Sequence, residues 1–128
     1  MRKDLEFSPD PLPVLIRRYL DTVVESALDE RGPGGCFFVN SLVESNHVPG
    51  STEKLTRHLD SQRRAGFIKR FRMARDAGEI PADADADTLA EFFAGQVLAL
   101  AVMARGGADR DTLDRFIDVA MTALPDSN

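Results

Sequence analysis

One stretch limits the folds open to this chain more than any other: Leu89 to Ala104, LAEFFAGQVLALAVMA, in which Glu91 is the lone charge and Gln96 the only other polar side chain. A segment this apolar on nearly every side needs neighbours on more than one side. It is shorter than the ~20 residues that span a bilayer and holds Glu91 within it, so a buried soluble helix is predicted, with no membrane partner. At about 100° per residue, Leu89, Phe92, Phe93, Gln96, Leu100 and Met103 share one face, while Gly95, Leu98 and Val102 lie opposite, in line with Glu91. The first face suits the chain's own core. The second, with its small Gly95, suits another subunit pressed close. The helix is therefore expected to be both a wall of an internal cavity and part of a dimer seam.

The rest of the chain has to supply those neighbours. Its 128 residues make one domain, and a domain of this size buries roughly two-thirds of the surface its unfolded chain exposes. A hydrophobic content of 43%, no Trp, one Tyr and eight Phe suit a compact helical protein rather than a disordered one. The net charge of −5 argues against a non-specific nucleic-acid binder, which needs an excess of Lys and Arg. Cys36 is the only cysteine, so neither a disulfide framework nor a Cys-rich zinc site is available. The N-terminal MRKDLEFSPDPLP has no apolar run of signal-peptide length, and a cytoplasmic location is expected.

Asp10-Pro11 reads as a helix start, the carboxylate as N-cap and the proline at the first helical position. Leu12, Leu15, Ile16, Tyr19, Leu20, Val23, Val24, Ala27 and Leu28 then recur at helical spacing until Gly32-Pro33-Gly34-Gly35. Cys36 to Asn46 suits a strand at Phe37-Phe38-Val39 but is predicted as a short helix, because Phe38, Leu42 and Ser45 align and no second strand exists to pair with it. A third helix runs from Thr52 to Ala77, with Ser51 as N-cap and Gly78 as stop. Its expected inward face is Leu55, Leu59, Gly66, Phe67, Met73, Ala74 and Ala77, with His58 and Gln62 at the margin, while Ile68 and Phe71 lie away from it and are expected to pack on another element or another chain. Its other surface is basic through Lys54, Arg57, Arg63, Arg64, Lys69, Arg70, Arg72 and Arg75. No groove-reading motif accompanies that surface, so it is read as a solvated face balanced by acids elsewhere.

Beyond the 78–86 linker, Asp83, Asp85 and Asp87 can cap or flank the apolar helix, whose dipole favours negative charge at its start. Arg105-Gly106-Gly107-Ala108 makes a tight connection to an antiparallel last helix beginning at Asp109, with a stripe of Leu113, Phe116, Ile117, Ala120, Met121 and Leu124 before Pro125. The expectation is an all-α fold of five helices closed by a hairpin. Residues 1–10 form a connector, 11–124 the domain and 125–128 a tail.

This order of pieces resembles a known family. The turn at Gly35-Cys36 with Asn40 and Glu44, the basic-faced helix ending Asp76-Ala77-Gly78-Glu79-Ile80-Pro81, and the apolar hairpin are similar to the C-terminal ligand-binding and dimerisation domain of TetR-family transcriptional regulators, over about Pro11 to Leu124. The family's N-terminal helix-turn-helix has no counterpart, and residues 1–10 fall where such a region hands over to the effector domain. The resemblance implies a homodimer whose terminal hairpins form a four-helix bundle, with a small apolar molecule in a cavity among the preceding helices. DNA is a partner only where a helix-turn-helix region is supplied from outside these residues.

Gln96 is the sharpest single residue, since an amide on an apolar face costs roughly 1 to 3 kcal/mol unless it is hydrogen-bonded. It either orients an effector or bonds a neighbour such as Tyr19 or Asn40. The candidate ligand-binding set is Tyr19, Val23, Phe38, Leu42, Leu59, Gln62, Phe67, Phe92 and Gln96, whose few polar groups call for a hydrophobic, uncharged or weakly polar ligand. The candidate seam is Gly95, Leu98, Val102, Phe116, Val119, Ala120 and Ala123. Cys36, His47 and His58 lack metal-ligand spacing, and no nucleophile elbow, phosphate loop or zinc-protease motif is present. No catalytic residue, metal or cofactor is expected, and the chain is not read as an enzyme. The alternative function is a non-sensing helical dimerisation module whose cavity is filled by its own Phe and Met side chains.

Overall fold

The apolar stretch becomes the hub of the molecule. A computed structural model describes Leu5, residues 8–29 and residues 51–126. Four long helices lie among these residues, with no strand: α1 (Leu12–Leu28), α2 (Ser51–Asp76), α3 (Ala86–Arg105) and α4 (Arg110–Met121). The expected helix at 36–46, with Phe38, Leu42 and Cys36, lies outside the described residues. α3 packs against each of the other three helices, and α1 also packs against α4.

The all-α class is therefore as expected, but the phase of two helices is not. The buried face of α3 is Ala86, Ala90, Phe93, Ala94, Val97, Leu100 and Ala101. Phe92 is 40% exposed, and Gln96 and Met103 sit at the margin. The inward face is thus turned by roughly a quarter of the helix from the one drawn through Phe92, Gln96 and Met103. Alanines account for the shift: three helices converge on α3, and only small side chains let their backbones approach it from several directions.

The same correction applies to α2, where Phe67, Phe71 and Ala74 are fully buried and Met73 is 44% exposed. Phe71 stacks on Phe93 with ring centroids 5.7 Å apart, so of its two expected packings, another element or another chain, it takes the first, and it does so within the core. Ile68 packs at the margin of that core, and Ala77 is exposed. Arg70, counted with the basic surface, is buried.

Local chemistry sets the ends. Asp85 caps α3, its side chain accepting from the Thr88 N–H at 3.0 Å, and Asp109 caps α4 through the Thr112 N–H at 2.8 Å. Between them the chain turns at Gly107, whose φ of +99° favours glycine. α1 departs from expectation: its N-cap residue is Pro11 and no local side chain caps it. Asp10 turns instead to Ser8 and Arg18. The Leu12 N–H is capped from far along the chain by Glu79 Oε1 at 2.9 Å.

With 20 residues, α3 is the one helix among those described that is long and apolar enough to cross a membrane by length and composition. The length argument drawn from 89–104 therefore does not hold. Packing argues for a core helix, because one face is buried against its neighbours and both Asp87 and Glu91 are held by arginines of α2.

Candidate functional site

Two surfaces come together around α3, one inside the subunit and one outside. Inside, Tyr19 and Val23 on α1 and Phe67 on α2 are all buried. Tyr19 meets Phe67 edge to face at 5.1 Å, and the aromatic cluster continues through the Phe71–Phe93 stack and the Phe92–Phe93 edge contact at 5.0 Å. Of the expected ligand-binding set, these are the residues the fold gathers, with Phe92 only half inside.

Leu59 is 40% exposed, and Gln62 is half-buried with its Nε2 3.0 Å from His58 Nε2, a contact within one turn of α2. Gln96 Nε2 donates to the Phe92 carbonyl of its own helix at 3.3 Å, and Asn40, one of its two expected partners, lies outside the described residues. Its amide is thus partly satisfied without any effector, from a place at the edge of the core. Phe38 and Leu42 lie outside the described residues.

The outer surface is the opposite side of α3 with the adjoining side of α4. Gly95 is exposed, and an added Cβ there would meet nothing within 4 Å. Leu98 is half-buried, Val102 is 50% exposed and Val119 is 70% exposed. Phe116 is half-buried and Ala123 exposed. Ala120 belongs elsewhere, because Leu113, Ile117 and Ala120 form the buried stripe of α4 and turn it into the subunit's own core. The spacing of three and four in that stripe was the signal for it.

A charged margin runs beside this outer surface. Arg64 grips both carboxylate oxygens of Glu91, with its Nη2 2.8 Å from Oε1, and Arg72 grips Asp87 through two hydrogen bonds of 2.6 and 2.7 Å. Hydrogen bonding and the charge of Glu91 raise the affinity of Arg64 for its proton, and Asp87 does the same for Arg72. Asp87 is held below the usual carboxylate range, chiefly by its hydrogen bonds from Arg72. Such exposed pairs orient helices more than they stabilise them. They also use up part of the basic surface of α2, as a face balanced by neighbouring acids requires. A small pocket of about 90 Å³ lies here, bounded by Asp60, Arg64, Glu91, Ala94, Gly95 and Leu98.

A wider crevice of about 770 Å³ lies elsewhere, where Pro9, Pro11 and Pro13 face Glu79, Met121, Leu124, Pro125 and Asp126. None of the sequence-predicted site residues lines it. Among the described residues, no group of three or more His, Cys, Asp or Glu side chains is placed to hold a metal ion.

An all-α bundle closed by an antiparallel hairpin, with an aromatic core on one side of the hub helix and an apolar face on the other, defines the class. Residues 14–120 match the family described as the tetracycline repressor-like C-terminal domain, and the chain belongs to that family. It is similar to the uncharacterised HTH-type transcriptional regulator YezE of Bacillus subtilis (strain 168), 27% identical over 121 residues that cover 91% of this chain and 61% of that protein. The fold is that of the TetR-family transcriptional regulator CifR. Two cysteine mutants of CifR, each solved with a 26-bp double-strand operator DNA, superpose with TM-scores of 0.82 and 0.79 at 24% and 22% identity, over 97% of this chain and 64% of theirs. The chain thus spans about three-fifths of the length of these relatives.

Proposed function

We propose that this chain is the effector-sensing and dimerising part of a TetR-type transcriptional regulator, acting in the cytoplasm and not as an enzyme. The observation that carries the reading is the outer face of the hairpin, where Gly95, Leu98, Val102, Phe116, Val119 and Ala123 leave an apolar surface that the subunit itself does not cover. A second copy pairing hairpin to hairpin covers it and makes a four-helix bundle. Residues 11–124 form the domain, 1–10 the connector and 125–128 a tail.

The ligand is a small hydrophobic molecule held near Tyr19, Val23 and Phe67. Binding acts by population shift: a molecule that prefers one arrangement of α1, α2 and α3 biases the hairpins through α3, which touches all of them. Operator DNA is the partner of CifR. For this chain it is a partner only through a helix-turn-helix region outside residues 11–124, because Arg64 and Arg72 of the basic helix are already engaged by Glu91 and Asp87.

A second reading is favoured by the close aromatic packing of Tyr19 on Phe67 and of Phe71 on Phe93, which places large side chains between the helices where a ligand would sit. The domain is then a dimerisation module without a ligand. Native mass spectrometry of the purified chain, repeated after denaturation, separates the two. A dimer carrying an apolar adduct supports the sensor, a dimer that takes up no apolar compound from a screened panel supports the module, and a monomer removes both.

A further inference from the structure

Arg70 is the one charged side chain buried among the described residues, at 4% exposure. Its Nη1 donates to Glu79 Oε2 at 2.9 Å and its Nη2 to the Asp10 backbone carbonyl at 3.2 Å. Glu79 uses its other oxygen to accept from the Leu12 N–H at 2.9 Å, the only side-chain cap of the α1 N-terminus among the described residues. The pair therefore holds both the last peptide group of the connector and the first of α1. Arg70 Nε is buried with no hydrogen-bond partner. A buried guanidinium is costly to desolvate, and the packing of α2 alone would be served better by an apolar residue.

Position gives the pair a second property. Arg70 lies three residues after Phe67, on the same face of α2, one turn from the contact between Phe67 and Tyr19. Both residues lie in one uninterrupted helix, so a change in how Phe67 seats against α1 moves Arg70 with it. Hydrogen bonds tolerate little displacement before they weaken. We propose that Arg70 and Glu79 form a latch through which the seating of α2 at Phe67 sets the position of the N-terminal connector. The latch rests on the proposed sensor reading in one respect, namely that the connector leads to the part of the regulator that reads DNA.

The test is amide hydrogen exchange on the full chain, comparing residues 8–15 with the amides of α3 so that global unfolding is divided out. Glu79→Gln keeps an acceptor for Leu12 but loses the charge that holds Arg70, and it should speed exchange in 8–15 about tenfold, the scale on which a charge-assisted hydrogen bond exceeds a neutral one. Phe67→Leu should speed exchange in the same segment several-fold in the wild-type background and less than about twofold once Glu79→Gln is present, since coupled sites are not additive. A merely structural pair gives the same factor in both backgrounds, which overturns the latch. Where Phe67→Leu does not fold, Tyr19→Leu removes the other half of the aromatic contact and serves as the input. No ligand enters this experiment. Additive exchange in a chain that is a dimer with an adduct sinks the latch alone, whereas coupled exchange in a ligand-free monomer keeps the latch and sinks the sensor.

Discussion

On the inner side of α3, alanines at 86, 90, 94 and 101 alternate with Phe93, Val97 and Leu100, and all of them are nearly inaccessible to water. On the outer side, Phe92 and Val102 are 40% and 50% exposed, Leu98 is half-buried, and Gly95 lies open. Both sides are apolar, yet the subunit buries only one of them. The inner face is made of residues small enough for three helices to converge, with a few large ones filling the gaps. The outer face is interrupted by Gly95 and is flanked by the Arg64–Glu91 and Arg72–Asp87 pairs, an apolar centre with a charged margin. A helix that is apolar all round thus answers to two different partners, one within the chain and one outside it.

That contrast can be broken most severely from the inside. Phe93→Ala removes a ring that touches both Phe71 and Phe92, and urea unfolding should show a loss of about 3 to 5 kcal/mol, as for other buried aromatic truncations. A loss below about 1 kcal/mol would mean that the face is loosely packed and that inner and outer are not distinct.

Gly95→Ala sharpens the contrast from the other side. Within one subunit the new methyl meets nothing, and replacing a helical glycine by alanine favours the helix by about 1 kcal/mol. Against a second copy the same methyl enters the seam. The expected outcome is therefore split: higher thermal stability of the dissociated subunit, measured at low concentration, and dimer affinity weakened about tenfold. Tighter association on Gly95→Ala would place the close approach elsewhere.

The smallest effect concerns Glu79, at the polar end of the core. Burial pushes its carboxyl up, but the Arg70 hydrogen bond, the Leu12 N–H and the Arg70 charge together outweigh that and hold it below the usual carboxylate range. A carboxyl lowered in the folded state contributes stability above its unfolded value and loses it as pH falls through the folded one. The stability difference between wild type and Glu79→Gln should be full at neutral pH and shrink below about pH 4. It should be the same in a background carrying Val102→Glu, because the latch and the outer face are independent. A difference that grows on acidification would reverse the sign of the argument.

Much of the frame was legible in the residues. The start of α4 at Asp109, an acidic start to α3 among Asp83, Asp85 and Asp87, the turn at Gly107 and the extents of α1 and α2 all follow from local signals, while which of the three aspartates caps α3 does not. α4 ends earlier than Pro125 implied, at Met121, and the chain continues through three-residue turns that put the Thr122, Ala123 and Leu124 amides on Val119, Ala120 and Met121.

What was not legible has two causes. A helix apolar on every side, such as α3, fixes its period but not its phase, and the large side chains Phe92 and Met103 drew the inner face away from the alanines that form it. α2 was misphased in the same way, by Met73 and Ala77 at the expense of Phe71. The second cause is distance: the cap of α1 comes from Glu79, 67 residues away, and local reading gave that role to Asp10. Arg70 was hidden for the same reason, since nothing in a run of basic residues marks the one that points inward.

The central claim is that a second copy of the chain covers the outer face of α3 and α4. Sedimentation equilibrium of the wild type and of Val102→Glu, at tens of micromolar and with far-UV circular dichroism on both, tests it directly. The account predicts the dimer mass for the wild type, the monomer mass for Val102→Glu, and equal helix content in the two. A wild-type monomer, or a Val102→Glu dimer of unchanged affinity, would contradict it.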